Sequence, residues 1–146
     1  MSIENKNAAI TPTELIDYAK QAMKKAYCPY SGYKVGAALL TKDGRVFTGC
    51  NIENASFTPT VCAERTAFFK AISEGNTDFS AIAIVGGKDG VISGVFPPCG
   101  VCRQVMSEFC DPRTFKVYLG TETDEYKSLT LAELLPYGFS KSNVNI

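Results

Sequence analysis

The chain has 146 residues, with 15 Lys and Arg against 15 Asp and Glu, no histidine and six cysteines. This length suits a single domain over residues 1–146, and the zero net charge argues against a nucleic acid or an anionic membrane as a partner. The lack of histidine excludes a His-containing metal site and the commonest general base.

The first six residues carry two charges and no apolar segment, which is not the pattern of a signal peptide. No run of 18 apolar residues occurs, so we expect no transmembrane helix. The sequence therefore predicts a cytoplasmic protein. In a reducing compartment, cysteines act as metal ligands, nucleophiles or small buried residues more often than they form disulfides.

Hydrophobic periodicity predicts an alternation of helices and strands along the chain. Apolar residues at helical spacing predict helices over 13–27, 61–73 and 100–109, and a last helical turn over 132–135. Apolar runs between turn residues predict strands over 33–40, 45–50, 79–85, 115–119 and 128–131. Asp43-Gly44 joins the first two strands as a hairpin. These elements predict an α/β fold with three α/β/α layers around a central mixed five-stranded sheet.

Two short motifs that contain cysteine begin two of the predicted helices. They are Cys62-Ala63-Glu64 and Pro98-Cys99-Gly100-Val101-Cys102. A Cys-x-x-Cys pair at a helix start can direct two sulfurs to one point, and Cys62 would bring a third. A tetrahedral zinc with three protein ligands keeps one position for water, which is typical of a catalytic site.

Glu64 lies two residues after Cys62 and could take a proton from a zinc-bound water. A Cys-x-Glu followed by Pro-Cys-x-x-Cys is the signature of zinc deaminases that act on nucleobases. An isolated Cys-x-x-Cys is also typical of a redox pair or a structural zinc knuckle. Arg65 and Arg103 each follow a motif residue and could donate hydrogen bonds to the sulfurs, or they could be solvated helix residues.

The chain resembles the small homotetrameric cytidine deaminases, from about residue 18 to residue 139. The matching segments are 28–31 (CPYS), 35–38 (VGAA), 49–55 (GCNIENA), 62–67 (CAERTA), 98–104 (PCGVCRQ) and 133–136 (ELLP). The resemblance implies the cytidine deaminase-like fold, one zinc per subunit on Cys62, Cys99 and Cys102, and Glu64 as the proton shuttle. It also implies a homotetramer with its sites at subunit interfaces.

The same resemblance assigns residues to the nucleoside. It places Asn51 and Glu53 on the ribose 3′-hydroxyl, and the backbone of Ala63 on the amide edge of the pyrimidine. The chemistry of Asn51 and Glu53 is consistent with this assignment, because an amide and a carboxylate can form hydrogen bonds with a hydroxyl group, while the carboxylate would repel a 3′-phosphate. Without the resemblance, Asn51 and Glu53 would be interpreted as turn residues after a strand.

Three aromatic positions also correspond to the family. Tyr33 stands where the family usually has Phe near the base, and Phe57 stands where many members have Tyr. Phe139 matches a late aromatic that stacks on the base in an adjacent subunit's site. Core or interface packing is the alternative for all three.

The sequence thus predicts hydrolytic deamination of cytidine and deoxycytidine in pyrimidine salvage. One alternative is a deaminase of a related aminonucleoside such as blasticidin S. Another is a non-catalytic, zinc-stabilised binding module in which Cys50 is a fourth ligand. Segment 86–96 is longer than is usual before the second motif, and we expect Cys28, Cys50 and Cys110 to be buried packing residues.

Overall fold

The computed structural model describes residues 2–4 and 9–145, so the prediction for residues 1–6 lies largely outside the described residues. The strands are β1 (Ser2–Glu4), β2 (Tyr33–Thr41), β3 (Arg45–Cys50), β4 (Phe79–Lys88), β5 (Lys116–Gly120) and β6 (Tyr126–Thr130). The helices are α1 (Pro12–Met23), α2 (Ala63–Ser73), α3 (Gly100–Phe109), α4 (Leu131–Leu134) and a 3-10 helix (Lys141–Val144). No helix in the described part of the chain is long and apolar enough to cross a membrane.

The strands form one mixed sheet in the order β1-β3-β2-β4-β5-β6. Among the strands of the described residues, only β4 and β5 pair in parallel, and α3 connects them. The α/β class and the five predicted strands are confirmed, and β1 adds a short sixth strand beside β3. Strand β4 continues to Lys88, past its predicted end, because Tyr33–Val35 of β2 pair with Gly86–Lys88.

Helices cover both faces of the sheet, as the prediction of three layers required. Helix α1 packs on one face, where it meets Ala38, Ala83 and Val85. Helices α2 and α3 pack on the other face, over a core that includes Leu39 and Ile84. The alternation of neighbouring residues between the two clusters follows from the period of two in a strand.

The start of α1 has a complete capping box. The Thr11 hydroxyl accepts a hydrogen bond from the Glu14 N–H at 3.1 Å, and the Glu14 carboxylate accepts one from the Thr11 N–H at 3.3 Å. Pro12 occupies the first helical position, where its missing N–H costs nothing. The helix ends at Met23, short of the predicted residue 27.

Two glycines let the helices approach the sheet closely. A Cβ at Gly36 would lie 2.0 Å from the carbonyl oxygen of Ala19 in α1. A Cβ at Gly49 would lie 2.5 Å from both the carbonyl oxygen of Ala63 and the nitrogen of Ala67 in α2. Only a residue without a side chain fits there, so Gly49 determines how near the first turn of α2 lies to β3.

Candidate metal centre

Three cysteine sulfurs form the candidate centre. The Sγ atoms of Cys62, Cys99 and Cys102 all lie within 4.8 Å of one another, and those of Cys62 and Cys99 are 3.6 Å apart. Thiolates at about 2.3 Å from a tetrahedral zinc would lie about 3.8 Å from each other. The three residues therefore fit a zinc ion, with one coordination position left for a small molecule.

The helix starts position these sulfurs. Cys62 and Cys99 are the N-cap residues of α2 and α3, and neither side chain caps its own helix. An N-cap side chain normally accepts a hydrogen bond from the helix, so both sulfurs remain available to a metal. Cys102 lies in the first turn of α3 and is buried. The two helix N-termini also bring partial positive charge towards the sulfurs.

Glu64 is buried beside the cluster, with 3% of its surface exposed. The Cys102 thiol donates a hydrogen bond to its Oε2 at 3.2 Å. Burial, together with the charge of Cys62, raises the pKa of Glu64 to about 7. A carboxyl group of this pKa can both accept and donate a proton near neutral pH.

The sulfurs differ in their protonation. The neighbouring Cys102 Sγ, followed by hydrogen bonds from Arg65 and Cys99, lowers the pKa of Cys62 to about 5. The neighbouring Cys62 Sγ, followed by burial and the charge of Glu64, raises the pKa of Cys102. Cys62 is therefore the thiolate and Cys102 the thiol, and metal binding would release the proton of Cys102.

Arg65 lies against the cluster, where it was expected. Its Nη2 donates to the Sγ of Cys62 at 3.3 Å, and its buried Nε has no partner among the described residues. Burial alone would lower the pKa of Arg65, but the neighbouring Cys62 and Cys102 sulfurs raise it, so the guanidinium stays charged.

Arg103, the second arginine considered, does not donate to the sulfurs. Its Nε donates to the Pro98 carbonyl at 2.8 Å and its Nη1 to the Leu134 carbonyl at 2.6 Å. Arg103 therefore joins the loop before α3 to the end of α4.

A cavity of about 220 Å³ opens beside the cysteines. Its metal end consists of Cys62, Ala63, Glu64 and Cys99, and its β3 end consists of Asn51 and Glu53. Its other lining residues are Tyr33, Val35, Thr60, Val61, Phe96 and Pro97. The structure thus brings most of the predicted site residues to one cavity.

At the β3 end, the side chain of Asn51 is bound to β2. Its Oδ1 accepts from the Val35 N–H at 2.9 Å, and its Nδ2 donates to the Tyr33 carbonyl at 2.7 Å. Each of these atoms can make one further hydrogen bond.

Glu53, also at the β3 end, is held by the turn before β2. Its Oε1 accepts from the N–H groups of Tyr30 at 3.0 Å and Ser31 at 3.1 Å, and its Oε2 accepts from the Ser31 hydroxyl. The Ser31 hydroxyl, followed by these backbone donors, lowers the pKa of Glu53. Sequence reasoning gave Ser31 no role, because the bond joins residues 22 positions apart.

The aromatic candidates divide into two groups. Tyr33 lines the cavity, whereas Phe139 is 61% exposed and lies outside its lining. The Phe139 carbonyl accepts from the Gln104 Nε2 at 2.8 Å, which fixes this segment on α3. Phe57 is 71% exposed and contacts the edge of Tyr30, with 6.1 Å between the ring centroids.

Ala63 and Cys50 complete the comparison with the predicted site. Ala63 is the first residue of α2, so its N–H has no acceptor within the helix. Cys50 is not in the sulfur cluster found among the described residues, which contradicts the hypothesis of a fourth ligand. Cys110 is buried as expected, while Cys28 and Cys50 are only half-buried.

Sequence reasoning missed Phe96 as a cavity residue. It lies at the end of segment 86–96, to which the sequence analysis assigned no role. Its ring centroid is 6.0 Å from that of Tyr33. No motif marks this contact, because it depends on how the loop returns across β4.

Comparisons with known proteins agree with this geometry. Residues 10–119 match the family model described as the cytidine and deoxycytidylate deaminase zinc-binding region. A cytidine deaminase of Halalkalibacterium halodurans is 53% identical over 131 residues, which cover 90% of this chain and 96% of that protein. One of Sporosarcina psychrophila is 48% identical over 132 residues, which cover 90% and 93%.

A solved structure is also similar. The crystal structure of cytidine deaminase from Burkholderia pseudomallei superposes with a TM-score of 0.80 at 48% identity. The match covers 88% of this chain and 99% of that chain.

Proposed function

Because this chain belongs to the cytidine and deoxycytidylate deaminase family, we propose that it hydrolyses cytidine and deoxycytidine to uridine and deoxyuridine, releasing ammonia. Relatives named cytidine deaminase, at about half identity over nearly their whole length, support cytidine as the substrate. The observation that carries the proposal is one cavity lined by Glu64 and two of the three clustered cysteines at one end and by Asn51 and Glu53 at the other.

Cys62, Cys99 and Cys102 hold one zinc ion per subunit. When bound, zinc lowers the pKa of a coordinated water towards 7. Arg65 offsets the negative charge of three thiolates, because its guanidinium donates to Cys62 and stays charged. Its second buried N–H, at Nε, is free to donate to a ligand sulfur or to an acceptor brought by the substrate.

Glu64 moves the proton. It takes a proton from the attacking water, delivers it to N3 of the pyrimidine and then assists departure of the amine from C4. Its burial supports both roles, since it raises the pKa of Glu64 to about 7. Loss of the Cys102 proton on metal binding would also free the acceptor oxygen of Glu64 that this thiol occupies.

The other cavity groups bind and orient the nucleoside. The free hydrogen-bonding capacity of Asn51 and Glu53 suits the 3′-hydroxyl of the sugar. The N–H of Ala63 is aimed from the start of α2 and suits the carbonyl at the amide edge of the base. Tyr33 provides an aromatic face for the base.

Phe139 acts in a neighbouring subunit of a homotetramer. Its ring is exposed while its backbone is tied to α3, a combination suited to contact with another copy. We place the enzyme in the cytoplasm and in pyrimidine salvage, where free nucleosides are substrates. A related aminonucleoside of the blasticidin S type remains the alternative substrate, and the pair Asn51 and Glu53 favours an ordinary nucleoside over it.

An ultraviolet assay of the purified protein tests this proposal. Cytidine, deoxycytidine, cytidine monophosphate, cytosine, adenosine and blasticidin S are each offered with and without a chelator, and the zinc content is measured. We expect turnover of the first two substrates only and its loss with the chelator. Inactivity on both nucleosides would overturn the proposal.

The Glu64→Gln variant isolates the proton shuttle. General acid–base catalysis contributes about 10²- to 10⁴-fold to a rate, so we expect at least about a thousandfold loss of turnover. Zinc content should equal that of the unchanged protein. A variant that keeps near-normal turnover would contradict the role of Glu64.

A further inference from the structure

The cavity has an apolar wall between its two polar ends. Tyr33 and Phe96 form this wall, with ring centroids 6.0 Å apart and ring planes at 36°. Val35 and Pro97 also line the cavity. Their apolar surfaces suit a part of the substrate that makes no hydrogen bond.

The backbone of β4 makes room for Phe96. A Cβ at Gly86 would lie 2.9 Å from the Cγ of Phe96 and 3.1 Å from a methyl group of Val35. The Phe96 ring therefore packs directly on the backbone of β4 at Gly86, and a side chain on residue 86 would displace the ring. Gly87 has the same property towards the loop, since its Cβ would lie 1.8 Å from the Val91 carbonyl oxygen.

The facing ring is also held in place. The Nζ of Lys88 lies 5.2 Å from the ring centroid of Tyr33 and donates to the Ser31 carbonyl at 2.8 Å. A cation over an aromatic face attracts the ring. Both rings of the wall thus have contacts that hold them in place.

The chemistry of the base determines which of its atoms meets this wall. Cytosine presents hydrogen-bonding groups at O2, N3 and the C4 amine, and its one apolar edge is C5–C6. C5 is bonded to C4, and C4 must come to Glu64 and the cysteines for the proposed reaction to occur. Phe96 lies three residues before Cys99 and lines the same cavity as Glu64 and Cys99, so its ring is a large apolar group available to this edge of the base.

Resting on the proposed function, we propose that Phe96 is a specificity-determining residue that closes the cavity against substituents at C5 of the pyrimidine. A methyl group or a halogen at C5 would have to displace a ring that Gly86 and Tyr33 hold in place. Replacement of Phe96 by a smaller apolar residue opens that space and keeps the wall apolar. Discrimination against 5-substituted nucleosides should then fall.

The test compares cytidine with 5-methylcytidine in Phe96→Val. One methyl group in an apolar pocket changes kcat/KM by roughly 10- to 200-fold. We expect the ratio of kcat/KM for 5-methylcytidine to that for cytidine to rise about tenfold, with a smaller rise in Phe96→Leu. The ratio of inhibition constants for 5-methyluridine and uridine should change in the same direction, and it reports binding without the chemical step.

Phe69→Val is the matched control, because Phe69 is 49% exposed on α2 and does not line the cavity. It should leave both ratios unchanged. If both Phe96 variants deaminate cytidine with unchanged ratios, the inference about Phe96 is wrong while the proposed function stands. Absence of cytidine turnover in the unsubstituted protein would instead overturn the proposed function.

Discussion

The metal end and the β3 end of the cavity use polar side chains in opposite ways. At the metal end, Cys62 and Cys99 leave their helices uncapped, and the neighbouring Arg65 has a buried N–H without a partner among the described residues. At the β3 end, Asn51 and Glu53 already bind the backbone of β2 and of the turn before it.

This difference separates function from folding. Side chains that make no hydrogen bond to the backbone contribute to ligand binding and little to the stability of the fold. Their loss should therefore reduce activity before it reduces stability. Groups that hold the backbone and also face the cavity contribute to both. Substitutions at the β3 end should therefore reduce stability and substrate affinity together.

The largest effect is expected for Cys102→Ala at the metal end. Loss of one of three sulfurs removes the zinc site, so we expect no stoichiometric zinc and a fall in turnover of at least about a thousandfold. Metal analysis by mass spectrometry and the ultraviolet assay measure both quantities.

Cys50→Ala is the matched control for that variant, because Cys50 is half-buried and lies outside the sulfur cluster. It should keep zinc and activity. Loss of zinc in Cys50→Ala would return Cys50 to the set of ligands and contradict the open, three-sulfur centre.

The metal end was the part of the site that the sequence predicted best. Cys62 and Glu64 are two residues apart, and the two cysteines of the other motif are three residues apart within one turn, so local helix geometry alone brings each set together. The β3 end came only from the family resemblance. Its contacts join Glu53 to Ser31 and Asn51 to Val35, and no local pattern specifies such distant pairs.

The same distinction between local and distant contacts explains which parts of the fold the sequence predicted. The four internal strands, β2 to β5, have apolar runs that the sequence predicted, and the fifth predicted strand is the edge strand β6. Strand β1 is three residues long and exists through its pairing with Arg45–Phe47 of β3, which its own sequence does not reveal. The position of Phe96 likewise depends on the absence of a side chain at Gly86, across the loop.

Gly49→Ala should change the distance between the metal end and the β3 end of the cavity. The new Cβ would lie 2.5 Å from the backbone of Ala63 and Ala67, so α2 must move away from β3. We expect kcat to fall about tenfold to a hundredfold, since a misplacement near 1 Å can cost about 100-fold. Overpacking should also reduce the free energy of unfolding by about 1–3 kcal/mol.

Gly36→Ala is the control, since it meets the backbone of α1 on the opposite face of the sheet. It should reduce stability at least as much, as measured by urea unfolding, while kcat of the folded enzyme changes little. Equal losses of kcat in the two variants would show that α2 is not positioned by Gly49.

Asn51→Ala tests the double role of the β3 end. It leaves the Val35 N–H and the Tyr33 carbonyl without their partner, and a buried polar group without a partner costs about 1–3 kcal/mol. We expect a loss of stability of that size together with a rise in KM for cytidine. Asn76→Ala, at a buried asparagine that does not line the cavity, should reduce stability without changing KM. An unchanged KM in Asn51→Ala would mean that its side chain only holds β2.

The smallest expected effect is a pH shift in Ser31→Ala. The Ser31 hydroxyl is the main reason that the pKa of Glu53 is lowered, so its removal should raise that pKa towards the ordinary value. A lowered pKa keeps the carboxylate ionised into acid, and the contribution of Glu53 disappears as the pH falls through the folded-state value. In Ser31→Ala this loss should therefore begin at a higher pH.

Uridine is the suitable probe of this shift, because it has no group that titrates in acid, whereas cytidine itself takes up a proton there. Its inhibition constant would be measured from pH 7 to about pH 4, around the ordinary pKa of glutamate. Ser73→Ala is the control, since this exposed serine donates only to the Lys70 carbonyl and the variant keeps the same metal site. Loss of zinc in acid should affect both variants alike. If uridine binding weakens at a higher pH in Ser31→Ala alone, the change is due to the ionisation of Glu53. Coincident profiles would show that Glu53 does not need its charge to bind the sugar, and that its carboxylate serves mainly to hold the turn at Tyr30 and Ser31.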